Sequence, residues 1–256
     1  MTKIILSGSG GKMGRTVIRT VDARTDCQIV AGISKNAVEG DHFPTFISPG
    51  KVDVDVDVII DFSHPDLLEP LLNFATYKKI PIVICTTGFN NAQVSRIKEA
   101  AKRIPIFFSG NMSLGINLLI ELAKKATTVL GIDFDIEIIE RHHNQKIDAP
   151  SGTAMMIADS IKSTGIQNYE YTYARQPYRQ ARCHNEIGIH SVRGGTIVGE
   201  HEVSFAGKDE VLTISHSAQS KEIFAIGAVN AALFLISQTA GLYCMADLLG
   251  YTVGIS

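Results

Sequence analysis

The chain lacks any run approaching the roughly 18 apolar residues that a membrane-spanning helix requires. It also lacks an excess of charge of either sign, with 24 basic and 26 acidic residues leaving −2 at neutral pH. That balance gives no general attraction to nucleic acid or to anionic membranes. A site for an anionic ligand must therefore be built locally. Cysteine is sparse: Cys27, Cys85, Cys183 and Cys244 stand far apart, with no CxxC pair. This speaks against a zinc knuckle or a disulfide framework and fits a reducing cytoplasm. The opening MTKIILSGSG has only Ile4-Ile5-Leu6 as an apolar run before its glycines, unlike the order of a signal peptide.

What is present is an ordinary globular mixture, 45% hydrophobic and 20% charged over 256 residues. That length suits one large and one small unit. Short apolar runs alternate with helical patterns over about the first 110 residues. Ile4–Leu6, Gln28–Ile33, Val56–Asp61, Ile82–Ile84 and Ile106–Phe108 read as strands. Helices are expected after Met13, over Pro65–Lys78 and over Asn91–Arg103. Continuous apolar strands between helices indicate a parallel sheet covered on both faces, a doubly wound α/β unit. The aspartates alternating along Val52–Asp57 read as a solvated approach to a strand rather than a cation site.

After a helix from Asn117 to Val129 the character changes. Phe134–Glu140 alternates like a half-exposed strand, and further strands are expected at Glu186–Ser191, Thr196–Phe205 and Glu210–Ser217. Hairpin turns are expected at Arg193-Gly194-Gly195 and Gly207-Lys208-Asp209, giving a mixed or antiparallel sheet. A last helix is read from Ile223 to Thr239. The expected organisation is a Rossmann-type dinucleotide-binding domain at 1–113 and 221–256. An α+β substrate-binding and oligomerisation domain is inserted at 114–220.

The turn after the first strand reads GSGGKMGR, placing Gly8, Gly11 and Gly14 three apart. Glycine permits a tight turn, a close approach to a pyrophosphate and close packing of helix on strand. The helix N-terminus then offers N–H groups to the phosphates. An NAD site usually carries Asp or Glu about 20 residues further on. Here the strand ends Ile33-Ser34-Lys35-Asn36, with no carboxylate to repel a 2′-phosphate. NADPH is the expected cofactor, with NADH possible.

ERHHNQKIDAPSGTA, from Glu140 to Ala154, supports three readings on its residues alone. Adjacent histidines point apart on a strand, and no HExxH, third histidine or cysteine pair stands near them, which disfavours a metal site. A solvated polar loop is the default for any histidine-rich connection. The third reading is an anion cradle beside a proton donor. Pro150 can start a helix whose first residues, Ser151, Gly152 and Thr153, present N–H groups and hydroxyls. Lys146 adds charge, and histidine carries a proton available near neutral pH.

These residues, together with GSGGKMGR, DFSHP at Asp61–Pro65, TTGF at Thr86–Phe89, NMSLGIN at Asn111–Asn117, SVRGGTIVGEHEVSF and FAIGAV, carry a resemblance. Over nearly its whole length the chain resembles the 4-hydroxy-tetrahydrodipicolinate reductase (dihydrodipicolinate reductase) family of the diaminopimelate route to lysine. The resemblance implies His142 as proton donor and Lys146 as a second catalytic residue that draws in a substrate carboxylate. It implies His143, Ser151, Gly152 and Thr153 as contacts to a small dicarboxylate. On the cofactor side it implies Gly8, Ser9, Gly10, Gly11, Lys12 and Met13 at the pyrophosphate, and Ser34 and Lys35 at the adenosine ribose. Cys85, Thr86, Thr87, Ser109, Gly110, Asn111 and Met112 fall near the nicotinamide. It further implies a homotetramer built through the substrate-domain sheet. With cofactor and substrate on different domains, closure about hinges near Met112-Ser113 and Ser220-Lys221 is expected to assemble the site and exclude water.

Three positions depart from the family pattern. Cys85 stands where Gly is frequent, Ser34 where an acidic residue is common, and Lys221 where Arg is usual. Lysine loses the bidentate fork of arginine. Two alternatives are another two-domain NADPH enzyme of the homoserine or aspartate dehydrogenase kind, and a non-catalytic nucleotide sensor. The DAPSGTA cradle argues against the first, and the retained His142 and Lys146 against the second.

Overall fold

A computed structural model describes residues 1–35, 41–177 and 179–250. Asn36, at the end of the ribose segment, lies outside them. The chain divides into two compact units, Met1–Leu114 with Lys221–Ser256, and Gly115–Ser220.

The first unit holds strands β1 (Thr2–Ser7), β2 (Cys27–Ile33), β3 (Thr45–Phe46), β4 (Val58–Asp61), β5 (Ile82–Ile84) and β6 (Pro105–Phe108). Its helices are α1 (Lys12–Asp22), α2 (Leu68–Lys78) and α3 (Asn91–Ala101). The second unit runs from α4 (Leu114–Leu130) through β7 (Asp135–His142), α5 (Gly152–Lys162), β8 (Glu170–Thr172), β9 (Glu186–Arg193), β10 (Gly199–Ala206) and β11 (Val211–Ala218). The chain then returns to the first unit with α6 (Glu222–Leu235), β12 (Gly241–Tyr243) and α7 (Met245–Leu248).

The seven strands of the first unit are ordered β12-β6-β5-β4-β1-β2-β3 and are all parallel. The strand centres are apolar because both faces are covered. Ile4, Leu6, Val58, Ile60 and Val83 pack with residues of α1 and α6. Ile5, Ile59, Ile82, Ile84 and Ile106 point the other way, into α2 and α3. Small residues let α6 lie close to its neighbours: a Cβ on Gly227 would fall 1.7 Å from the carbonyl oxygen of Met112. The aspartates before β4 are solvated, with Asp55 paired to Lys3 at the surface and Asp57 accepting the Lys3 N–H at 2.7 Å.

The second unit's five-stranded sheet is mixed, in the order β11-β10-β7-β9-β8. Side chains of β7 alternate between buried and half-buried, and Ile136 and Ile138 join a core with Leu119 and Ala123 of α4 and Ala154 and Ile157 of α5. Here one expectation fails. Arg193-Gly194-Gly195 is not a hairpin turn, because β9 and β10 do not pair with each other but flank β7 on either side. The glycine segment instead wraps the end of β7, with Gly194 N–H on the His142 carbonyl at 2.9 Å and Asn144 N–H on the Gly195 carbonyl at 3.2 Å. A glycine pair between two strands signals a reversal of the chain, but not which strand lies beside which. The Gly207-Lys208-Asp209 hairpin is present between the antiparallel β10 and β11, with Asp209 in the left-handed region at φ 63°.

Candidate active site

In the first unit, the segments after β1, β2, β5 and β6 all leave the carboxyl ends of neighbouring parallel strands, where α/β sheets bind ligands. This gathers Gly8–Met13, Ser34, Lys35, Cys85–Thr87 and Ser109–Met112 along one edge of the sheet. Gly8 takes φ 83°, and a Cβ there would lie 2.4 Å from the Phe62 carbonyl oxygen. A Cβ on Gly14 would lie 2.2 Å from the Gly8 carbonyl oxygen, so helix and turn touch backbone to backbone. No side chain caps the N-terminus of α1, and its first turn has no acidic residue. The turn therefore fits a pyrophosphate, which binds to N–H groups at such a helix end.

The loops after β4 and β5 are held from behind by Asp61, which is 2% exposed. It accepts hydrogen bonds from Thr86 Oγ1 at 2.7 Å and Ser63 Oγ at 2.6 Å. Burial raises its pKa above the ordinary value, against the lowering effect of these donors. Ser109 Oγ donates to the Asn111 carbonyl, and Asn111 Oδ1 accepts the Ser113 N–H. Burial pushes the Cys85 thiol well above its usual range, so it is no thiolate nucleophile. Lys221 is the N-cap residue of α6, with no side-chain cap bond.

In the second unit, one face of the sheet changes from aliphatic to polar along the strands. Ile136 and Ile138 of β7 are followed on that face by Glu140 and His142, and Val203 and Phe205 of β10 are preceded by His201. Glu140 is fully buried. Arg193 grips it through two bonds of 2.7 and 2.8 Å, and Ser151 N–H donates to it at 3.0 Å. His142 Nδ1 lies 2.6 Å from the same carboxylate. Burial opposes the charge on Glu140, but Arg193 first and then His142 outweigh it and hold the pKa at about 2. An ionised carboxylate only accepts, so Nδ1 carries the hydrogen and Nε2 is left to exchange a proton. Gly199 sits against that nitrogen: a Cβ there would be 3.1 Å from Nε2.

Ser151 caps α5, its Oγ accepting the Ala154 N–H at 3.1 Å and lying 3.0 Å from His201 Nε2. Burial, followed by the neighbouring His142, lowers the His201 pKa to about 3, so the ring beside the Ser151 hydroxyl is neutral. Gly152 is exposed at the helix start, and Thr153 is half-buried in the first turn. Lys146 Nζ pairs with Asp148 at 2.8 Å and lowers that carboxyl's pKa. His143 is half-buried, and its carbonyl accepts the Lys146 N–H. Among the described residues no group of three or more His, Cys, Asp or Glu is arranged to hold a metal.

The structure thus ties His142 and Ser151 to one carboxylate and leaves Lys146 and His143 on the loop between them. Three residues of this arrangement were given no role by sequence reasoning. Glu140 had a signal, since strand alternation sets it on the same face as His142. Arg193 and His201 lie in the SVRGGTIVGEHEVSF stretch, which gave them no role, because only the register of β9 and β10 brings them there.

Comparison with known proteins gives the family. Residues 2–112 match the family described as dihydrodipicolinate reductase, N-terminus, and residues 115–249 the one described as dihydrodipicolinate reductase, C-terminus. A 4-hydroxy-tetrahydrodipicolinate reductase of Caldanaerobacter subterraneus subsp. tengcongensis is 52% identical, over 97% of this chain and 98% of that one. That of Clostridium tetani is 46% identical, over 96% of each chain. A solved structure of a dipicolinate-bound dihydrodipicolinate reductase from Paenisporosarcina sp. TG-14 shares the fold, with a TM-score of 0.81 at 24% identity, over 96% of this chain and 98% of that one. With both halves matched in order and close relatives aligned end to end, the chain belongs to the dihydrodipicolinate reductase family.

Proposed function

We propose that the chain is the NAD(P)H-dependent reductase of 4-hydroxy-tetrahydrodipicolinate, yielding tetrahydrodipicolinate for the diaminopimelate route to lysine. The observation that carries this reading, beside the family, is the carboxylate that joins His142 to the start of α5. It sets a proton donor beside a helix end suited to a carboxylate. The hydroxylated ring loses water to give a conjugated imine, which takes up one hydride at C4 and one proton. The dinucleotide supplies the hydride when bound. The Gly8–Met13 turn holds its pyrophosphate, and Thr86, Thr87 and the Ser109–Met112 loop border its nicotinamide.

His142 supplies the proton from Nε2, directly or through a water it orients, while Nδ1 stays bonded to Glu140. Gly152 and Thr153 hold one substrate carboxylate at the α5 N-terminus, and Ser151, whose own N–H is spent on Glu140 and whose hydroxyl lies against His201, sets their position. Lys146 exchanges Asp148 for the other, and His143 adds a contact to the ring. Fixing both carboxylates orients the ring and leaves little freedom to be lost in the transition state. His142→Ala is expected to lower kcat about 100-fold or more with little change in KM, the usual cost of losing a general acid. Lys146→Ala is expected to damage both. A kcat within about twofold in His142→Ala would remove the donor role.

Ser34 and Lys35 favour NADPH, because no carboxylate there repels a 2′-phosphate and Lys35 is exposed to meet it. Comparing kcat/KM for the two cofactors tests this, and a clear NADH preference would overturn it. We also infer a homotetramer assembled through the second unit's sheet and a cytoplasmic location. Sedimentation equilibrium and cell fractionation test these.

A further inference from the structure

The bonds around Glu140 engage both oxygens of its carboxylate, and the Ser191 hydroxyl on the neighbouring strand also favours its charged form. A carboxylate offers about four acceptor positions. Oε1 takes the Ser151 N–H at 3.0 Å and one Arg193 N–H at 2.8 Å. Oε2 takes His142 Nδ1–H at 2.6 Å and the other Arg193 N–H at 2.7 Å. The bidentate fork fixes the plane of the group. Arg193 is itself anchored, donating to the Asp148 carbonyl at 2.6 Å and the Val192 carbonyl at 2.8 Å. A rotation of the carboxylate therefore moves the imidazole and the α5 N-terminus together.

We propose that Glu140 is a positioning residue that couples the proton donor to the anion cradle, one oxygen setting the His142 ring and the other the Ser151 N–H. The inference rests on the reading of His142 as donor and of the α5 N-terminus as a carboxylate site. The same carboxylate fixes the tautomer of His142, as an orienting carboxylate does in other imidazole-dependent sites. Arg193 does not touch substrate in this scheme; it keeps Glu140 ionised and in plane. The charged and titratable groups around His142 are Glu140 on its own strand, His201 from β10 at a ring separation of 5.2 Å, Arg193 from β9 behind the carboxylate, and Lys146 on the following loop.

The test is Glu140→Gln, which keeps the shape and removes the charge. A Gln amide turned toward Nδ1 donates where Glu accepted and so favours the opposite tautomer. Three quantities are read: kcat, its pH profile, and the Kd of dipicolinate by calorimetry on the cofactor-loaded enzyme. A kcat loss of about 100-fold is expected, with the alkaline limb moved toward acid because the imidazolium has lost its counter-charge. Dipicolinate binding is expected to weaken about tenfold, the cost of about 1.4 kcal/mol from a displaced N–H. In a double-mutant cycle with His142→Ala, the Gln substitution should add little further loss of kcat yet still weaken dipicolinate.

If Glu140→Gln retains kcat within twofold while His142→Ala is crippled, the coupling is wrong and the donor role stands. If His142→Ala is itself nearly unimpaired, the donor reading fails instead. Loss of kcat with an unmoved pH profile and unchanged dipicolinate binding would mark a merely structural role and overturn the proposal. Should the variant not fold, 15N-histidine NMR of the unaltered enzyme decides. His142 Nδ1 protonated across the active pH range is expected, and an Nε2–H neutral tautomer would sink the proposal.

Discussion

Asp61 and Glu140 are both nearly or wholly inaccessible carboxylates, one in each unit, yet they respond to burial in opposite directions. Asp61 is met by the hydroxyls of Ser63 and Thr86, and desolvation wins, raising its pKa. Glu140 is met by a guanidinium and an imidazole as well as an N–H, and its pKa is held at about 2. The difference lies in the partners. Neutral donors offset part of the cost of burying charge, whereas a bidentate cation exceeds it. The division follows the work of each unit. In the proposed scheme the first binds through backbone, with glycines and a bare helix end, and needs no internal charge. In that scheme the second holds a proton on one named nitrogen, which takes a fixed charge beside it.

The largest effect that would break this contrast comes from Arg193→Gln, which strips the cation from a buried carboxylate. A loss of about 3–5 kcal/mol in urea unfolding is expected, typical of an uncompensated buried charge. A loss under about 1 kcal/mol would place Glu140 with Asp61. The pH dependence has a definite sign. Glu140, below its ordinary 4.5, stabilises the fold above that pH and loses this as pH falls toward 2. Asp61, above its ordinary 3.8, stabilises in acid and loses this as pH rises through its folded value.

His201 adds a second acid-sensitive group to the same unit. Its pKa is depressed from 6.5 to about 3, so it stabilises above 6.5 and loses this as pH falls toward 3. Between pH 6.5 and 4 this amounts to about 3 kcal/mol at most. His201→Asn is expected to flatten that part of the stability profile, and an unchanged slope would show that the ring is not buried neutral. The smallest effect is expected from Asp61→Asn. If the acid is held largely uncharged, the amide should cost only about 1 kcal/mol, the scale of one rearranged hydrogen bond. A loss above about 3 kcal/mol would show that Asp61 is ionised.

Much of this was legible in the residues, for reasons that are local. Ile4-Ile5-Leu6 followed by glycines announces a buried strand and its turn, because burial on both faces demands continuous apolar sequence. A helix start was legible from the Pro-Ser-Gly-Thr order, though α5 begins two residues after Pro150, at Gly152, and Ser151, read as one of its first residues, is its N-cap. What stayed hidden depends on register between distant segments. Arg193 lies 53 residues from Glu140, and His201 lies 50 from Ser151. Nothing in either stretch reveals the other. The misplaced Arg193–Gly195 hairpin has the same origin, since strand order is decided by the whole sheet.

The path of the chain through the first unit bears on its biosynthesis. The helix that covers one face of the parallel sheet, and the strand that extends its β6 edge, both come from residues after Lys221. A nascent chain has made Ile4, Leu6, Val58, Ile60 and Val83 long before α6 leaves the ribosome, and that face has only α1 over it while all of Gly115–Ser220 is synthesised. The interrupted unit is thus the last to close, although its first strand is the first part of the chain to be made.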